Sequence, residues 1–168
     1  MSLNWWGILH HFKPDSRVDK WGDPARMDAN VLVKLDRLRH FIGHPIYVTS
    51  GFRGGDPNIH GQGRAVDVMC PGFPSCVFDL YLIAERFNFK GIGIYPHWHW
   101  NDKVIGGLHL DERQIPLKNQ GFNFKGARWI GVKSDGINIY YPLDRKHLES
   151  FDIINKETSH GCCGGCSK

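Results

Sequence analysis

Between Gly51 and Gly63 the chain holds five glycines and Pro57. No helix or strand sustains that density, because each glycine adds backbone freedom that regular structure has to remove. The segment is therefore a shaped loop. Its flanks are the opposite: Pro45 to Ser50 (PIYVTS) and Arg64 to Cys70 (RAVDVMC) are rich in β-branched and apolar residues, so the loop joins two buried strands. His60 then falls in the loop and Asp67 in the second strand. Fully extended, their separation of seven positions would span about 23 Å. Gly61 and Gly63 allow the chain to double back and bring imidazole and carboxylate together.

The rest of the chain supplies a scaffold for that turn. From Asp28 to Ile42, Val31, Leu32, Leu35, Leu38, Phe41 and Ile42 recur at helical spacing, opposite Lys34, Asp36, Arg37 and Arg39, and Gly43 ends the pattern. Ser75 is placed to cap a second helix reaching about Phe87. Gly91 to Tyr95 and Gly107 to Asp111 read as strands around an aromatic loop, HWHWNDK. Trp129 to Val132 and Ile137 to Tyr141 read as a hairpin. Helices come early and short strands follow without alternation, which predicts an α+β fold, a single domain with a small, mainly antiparallel sheet flanked by helices. With 168 residues there is room for one such domain. Residues 1–26 form a wrapping segment, 27–145 the domain, and 146–168 a flexible extension.

A catalytic metal takes three protein ligands and leaves a position for water. His60 and Asp67 supply two. In Gly106 to Arg113, strand alternation turns Leu108 and Leu110 into the core and sets His109, Asp111 and Arg113 on the opposite face. His109 is thus the preferred third ligand, since a strand fixes a side chain better than a loop does. His97 and His99 in the aromatic loop are its rivals. Tyr95, Trp98 and Trp100 either line a groove for substrate or plug the core. His10, His11, His40 and His44 have no ligand partner at useful spacing and are taken as surface or packing residues.

Taken together, SGFR, H-x-x-G-x-A-x-D, GIGIYP and H-x-D resemble the M15 zinc peptidases, which cleave peptidoglycan stem peptides and have hedgehog domains as structural relatives. The likeness spans about residues 25 to 142. It implies a hedgehog-like, DD-peptidase-like fold, one Zn2+ per chain held by His60, Asp67 and His109, and Arg53 on substrate oxygens, where the plain alternative is a salt bridge closing the loop. Asn58 stands where relatives commonly carry serine. Many members also place a glutamate three residues before the third ligand as general base, and here that residue is Gly106. Asp111 is the first substitute for the base, and His97 and His99 are next. His97, His99, Tyr95 and Trp98 are the candidate substrate contacts. The implied partner is a peptidoglycan peptide, with phage virion proteins as further partners. Without the glutamate, a zinc-containing wall-binding or virion module that lacks turnover is the alternative.

The remaining features exclude more than they assign. A net charge of +4 without basic blocks gives little support for a nucleic-acid interface. No apolar run approaches the roughly 18 residues of a membrane span. The N-terminus lacks a signal-peptide pattern, so the expected location is the cytoplasm at synthesis and the cell wall after release or within a virion. Cys70 and Cys76 are read as free thiols, with a disulfide as the alternative. His160 with Cys162, Cys163 and Cys166 looks metal-binding, but a glycine-loosened chain end makes a structural zinc there the weaker reading.

Overall fold

Asp28 and Gly43 bound the longest helix. In the computed structural model, which describes residues 4–114, 126–134 and 136–143, α1 spans Ala29–Ile42. Asp28 Oδ1 accepts a hydrogen bond from the Asn30 amide at 2.8 Å, and Gly43 closes the helix at φ 66°. Val31, Leu32, Leu35 and Leu38 are buried, as the periodicity requires. Two positions differ. Phe41 is 52% exposed and packs edge-on against Phe87. Asp36, expected on the polar face, is buried because it accepts from the His10 and His11 amides at 3.1 and 2.8 Å. That carboxylate straps the N-terminal segment to the helix.

The segment before α1 holds two short 3-10 helices, Trp5–Ile8 and Pro24–Arg26. It gives Phe12 and Trp21 to the core. Lys20 also pairs through its backbone with Val48 and Gly51, covering the outer edge of the first strand. The second helix, α2, is shorter than expected, Val77–Ala84, and passes into a 3-10 turn at Glu85–Phe87. Cys76 occupies its N-cap without a side-chain capping hydrogen bond, so Ser75 does not cap it. Cys70 is buried and Cys76 exposed, and both are free thiols.

The fold is α+β. Strands β1 (Tyr47–Ser50), β2 (Ala65–Met69), β3 (Gly91–Tyr95), β6 (Gly107–Asp111), β7 (Ala127–Ser134) and β8 (Ile137–Pro142) make one sheet in the order β1-β2-β6-β3-β7-β8. Every neighbouring pair is antiparallel except β3 with β7. The aromatic loop contains a small hairpin of its own, β4 (His99–Trp100) with β5 (Lys103–Val104). On one face Val66, Val68, Ile92, Ile94, Leu108, Leu110 and Ile130 join α1 and α2 in a single core. On the other face the register sets Ser50, Asp67, His109, Gly93 and Trp129 in one transverse row.

Gly93 makes that row possible. A Cβ there would stand 2.4 Å from the Trp129 ring, so the missing side chain is the space in which the indole lies beside His109, ring centroids 5.3 Å apart. A Gly93→Ala variant should lose about 1–3 kcal/mol to overpacking, read as a lower urea midpoint with unchanged slope. A variant as stable as the parent would show that the indole has room to move.

The expected extension at 146–168, with His160 and Cys162, Cys163 and Cys166, lies outside the described residues, as do positions 144 and 145 of the expected domain.

Candidate metal centre

The glycine-rich loop closes on itself before it presents its histidine. Arg53 N donates to His60 O at 3.2 Å, and a 3-10 turn at Ile59–Gln62 lifts His60 into place. Gly63, at φ 68° and with Arg26 O where a Cβ would sit, lets the chain turn into β2. Gly61 serves differently from expectation: its backbone is not left-handed, but the Asp56 carbonyl lies against it. The glycine density predicts a wholly irregular loop, yet a helical turn within it carries His60.

Asp67 and His109 come from directly paired positions of β2 and β6. Their ligand atoms and that of His60 lie within 4.8 Å of one another, and the three side chains are buried. His109 Nδ1 is 2.9 Å from Asp67 Oδ1, and His60 Nε2 is 3.2 Å from both.

What stands behind each imidazole decides which nitrogen is free. His60 Nδ1 is 2.7 Å from Gly51 O, an acceptor only, so Nδ1 carries the proton and Nε2 turns its lone pair inward. His109 Nε2 is 3.0 Å from Asp111 Oδ2, which leaves the Nδ1 lone pair inward. Two lone pairs and a carboxylate oxygen thus face one another, and a positive charge must lie between them, either a shared proton or a metal ion. This group can bind a metal ion. The partner behind each ligand matches the outer shell that orients metal-binding histidines.

The electrostatics agree. When protons and not a metal ion fill the gap, the inward ring N–H groups of His109 and His60 donate to Asp67, and these hydrogen bonds outweigh the burial that would raise its carboxyl and hold the group far below the usual carboxylate range. Burial alone would lower His109, and its bonds to Asp111 and Asp67 raise it instead. In the metal-free protein that imidazole therefore holds a proton more firmly than usual, and a metal must displace it, so metal affinity falls as pH falls.

The second Asp67 oxygen takes a short hydrogen bond from Arg53 Nη2, while Arg53 Nε donates to Ser50 Oγ at 2.7 Å and Nη1 lies 3.8 Å from Asp56. Arg53 therefore bonds to a ligand and also lines the cavity. Asp111 has a different place from the one expected of a general base. It is fully buried; Oδ1 accepts from the Arg113 amide and Nε at 3.0 and 2.9 Å, and Oδ2 accepts from His109 and Arg113. With both oxygens occupied and no contact with solvent, it orients His109 and is not placed to take a proton from water.

The centre opens onto a cavity of about 740 Å³ lined by Arg53, Asp56, Tyr95, Arg113, Trp129 and Tyr140, among others. Trp98 stacks on Tyr95 at 4.4 Å and borders the same space, whereas Trp100 packs on Tyr47. Burial pushes the Tyr95 phenol up to about 12, against the opposing pull of the Trp129 N–H and with lesser help from Tyr140 and the Asp67 charge. His97 and His99 do not join the ligand group; they line an adjoining space. Burial first and the Lys133 ammonium second keep His97 below its ordinary value. Asp56, Asn138, Trp129 and Tyr140 were not singled out from sequence. Alternation could have put Trp129 and Gly131 on one face, but only the parallel pairing with β3 brings the indole to His109. Far from the centre, His11 Nε2 and His40 Nδ1 meet at 3.3 Å, a contact that the spacing does not reveal.

No protein-family model, curated protein or solved structure matches this chain.

Proposed function

We propose that this chain is a zinc-dependent hydrolase of peptide bonds in peptidoglycan stem peptides or cross-links, a hedgehog-like member of the M15 group that its motifs resemble, acting as a phage or phage-derived lysin. The observation that carries this reading is the pair of tautomer-fixed imidazoles and one carboxylate converging beside an open cavity, with no fourth protein ligand among the described residues. Two nitrogens and one oxygen suit zinc, and three protein ligands are the number that catalytic sites use. When bound, zinc lowers the pKa of its water toward 7 and polarises a carbonyl oxygen.

The chain's own groups supply the rest. Gly51 O and Asp111 hold the two imidazoles, and Arg53 holds Asp67 while presenting a half-exposed guanidinium to substrate oxygens. Tyr95 stays protonated at working pH. Its oxygen accepts from Trp129 Nε1 at 3.2 Å, and its O–H, which shares a hydrogen bond with Tyr140, is the donor assigned to charge developing on a substrate oxygen. Position 106, where many relatives carry glutamate, is committed to glycine by φ 73° and by Val77 at 2.8 Å from any Cβ. Apart from Asp67, the carboxylate lining the cavity among the described residues is Asp56. The hydrogen bond that it accepts from the Asn58 amide holds it below the usual carboxylate range, so it is ionised, though a weaker base than an ordinary carboxylate. We assign it the proton-accepting role. Asp56→Asn should cut kcat by roughly 10²–10⁴-fold with KM little changed, measured by steady-state cleavage of a synthetic stem peptide; full kcat in the variant would remove Asp56 from the role.

A catalytically silent wall-binding or virion module is the second reading, and the sequestration of Asp111 favours it. Zymography on purified cell wall separates the two. Clearing that a chelator abolishes and zinc restores supports hydrolysis, whereas sedimentation with the wall and no clearing under any metal condition transfers the assignment.

A further inference from the structure

A second cavity of about 920 Å³ adjoins the first, and the two share Arg53, Asp67, Trp98 and Asn138. The metal centre therefore lies at a junction, with lining on both sides, and is not the end of a blind pocket. The second lobe has a distinct character. Lys20 and Lys133 border it, and neither ammonium has an ion-pair partner among the described residues. Asp67 is the one acid among its described lining residues, and Arg53 already pairs with that acid. Trp98 and Trp100 add flat apolar surface, and His97 contributes a buried Nδ1 without a hydrogen-bond partner.

We infer that this lobe is a subsite for a carboxylate-bearing segment of the substrate, so that the peptide runs across the centre from one lobe into the other. This rests on the hydrolytic reading above and deepens it by naming what the substrate carries. Two unpaired ammonium groups beside a lobe with no free acid attract an anion and disfavour a cation. Because the lysines are exposed, their gain is modest and screened by salt.

The test uses the zinc-loaded full chain and two synthetic stem pentapeptides, one with free carboxylates and one with each carboxylate converted to carboxamide. Binding is followed by tryptophan fluorescence and cleavage by mass spectrometry. The acid peptide should bind about tenfold more tightly, and 0.5 M salt should erase most of the difference. In a K20Q/K133Q double variant the preference should vanish, with the loss appearing in KM for the acid peptide. Equal affinity for the two peptides in the parent, or a preference that survives in the double variant, overturns the subsite. Cleavage without preference overturns the subsite and leaves hydrolysis standing. Acid-selective binding that the double variant abolishes, with neither peptide cut, keeps the subsite and overturns hydrolysis. Release of a single terminal residue as sole product overturns the crossing of the centre.

Discussion

A His109→Ala variant should bind almost no zinc and cleave nothing, while the parent should hold about one ion per chain. His109 gives the Nδ1 lone pair that completes the group with His60 and Asp67, and its other nitrogen is tied to Asp111. Removing the ring leaves two protein ligands and a gap in the wall of the cavity. The loss should exceed the roughly 10–100-fold in affinity that follows removal of an outer-shell partner. Equilibrium dialysis followed by metal analysis reads the stoichiometry directly. A paired variant, His97→Ala with His99→Ala, should keep the full complement, because neither ring belongs to the ligand group. Full retention of zinc by His109→Ala, with loss in the paired variant, would hand the third ligand to the aromatic loop. Near-ultraviolet circular dichroism separates loss of a ligand from loss of fold.

Asp111→Ala should damage stability and metal binding together. The carboxylate has no solvent exposure and pairs with Arg113 and His109, so its removal strands a guanidinium against Trp129 and frees the imidazole to rotate or change tautomer. Breaking a buried pair from one side costs about 3–5 kcal/mol, and the partial exposure of Arg113 points to the lower end. Zinc affinity should fall a further 10–100-fold. Urea denaturation and competitive zinc titration read the two effects separately. Asp111→Asn is the informative control: its amide oxygen can still accept from His109 Nε2, so most of the metal affinity should survive while the charge is gone. An alanine variant that loses stability but keeps full affinity would mean that the tautomer is set elsewhere.

The framework was legible where one period governed a whole segment. The α1 stripe from Val31 to Leu38, the run Gly91–Tyr95 and the alternation through Leu108, His109 and Leu110 each need only local sterics and a core to face. Alternation also put His109 and Asp111 on one face, but it could not tell a base from a brace. That distinction depends on the way the Arg113 side chain folds back over the carboxylate. Asp36 departs from the polar face that its spacing predicts because its partners are amides some 25 residues away. Trp129 escaped notice because its neighbour is set by a parallel pairing across the sheet, a long-range choice that no window of sequence contains.

The transverse row has one more consequence. Asp67 and His109 sit on paired strands in the interior of the sheet, and their positions are fixed by main-chain ladders and a hydrophobic layer that owe nothing to an ion. Small zinc modules that collapse when stripped with a chelator lack such independent support. Here removal of any bound ion should leave a folded template that takes it up again, with no refolding step between the two forms.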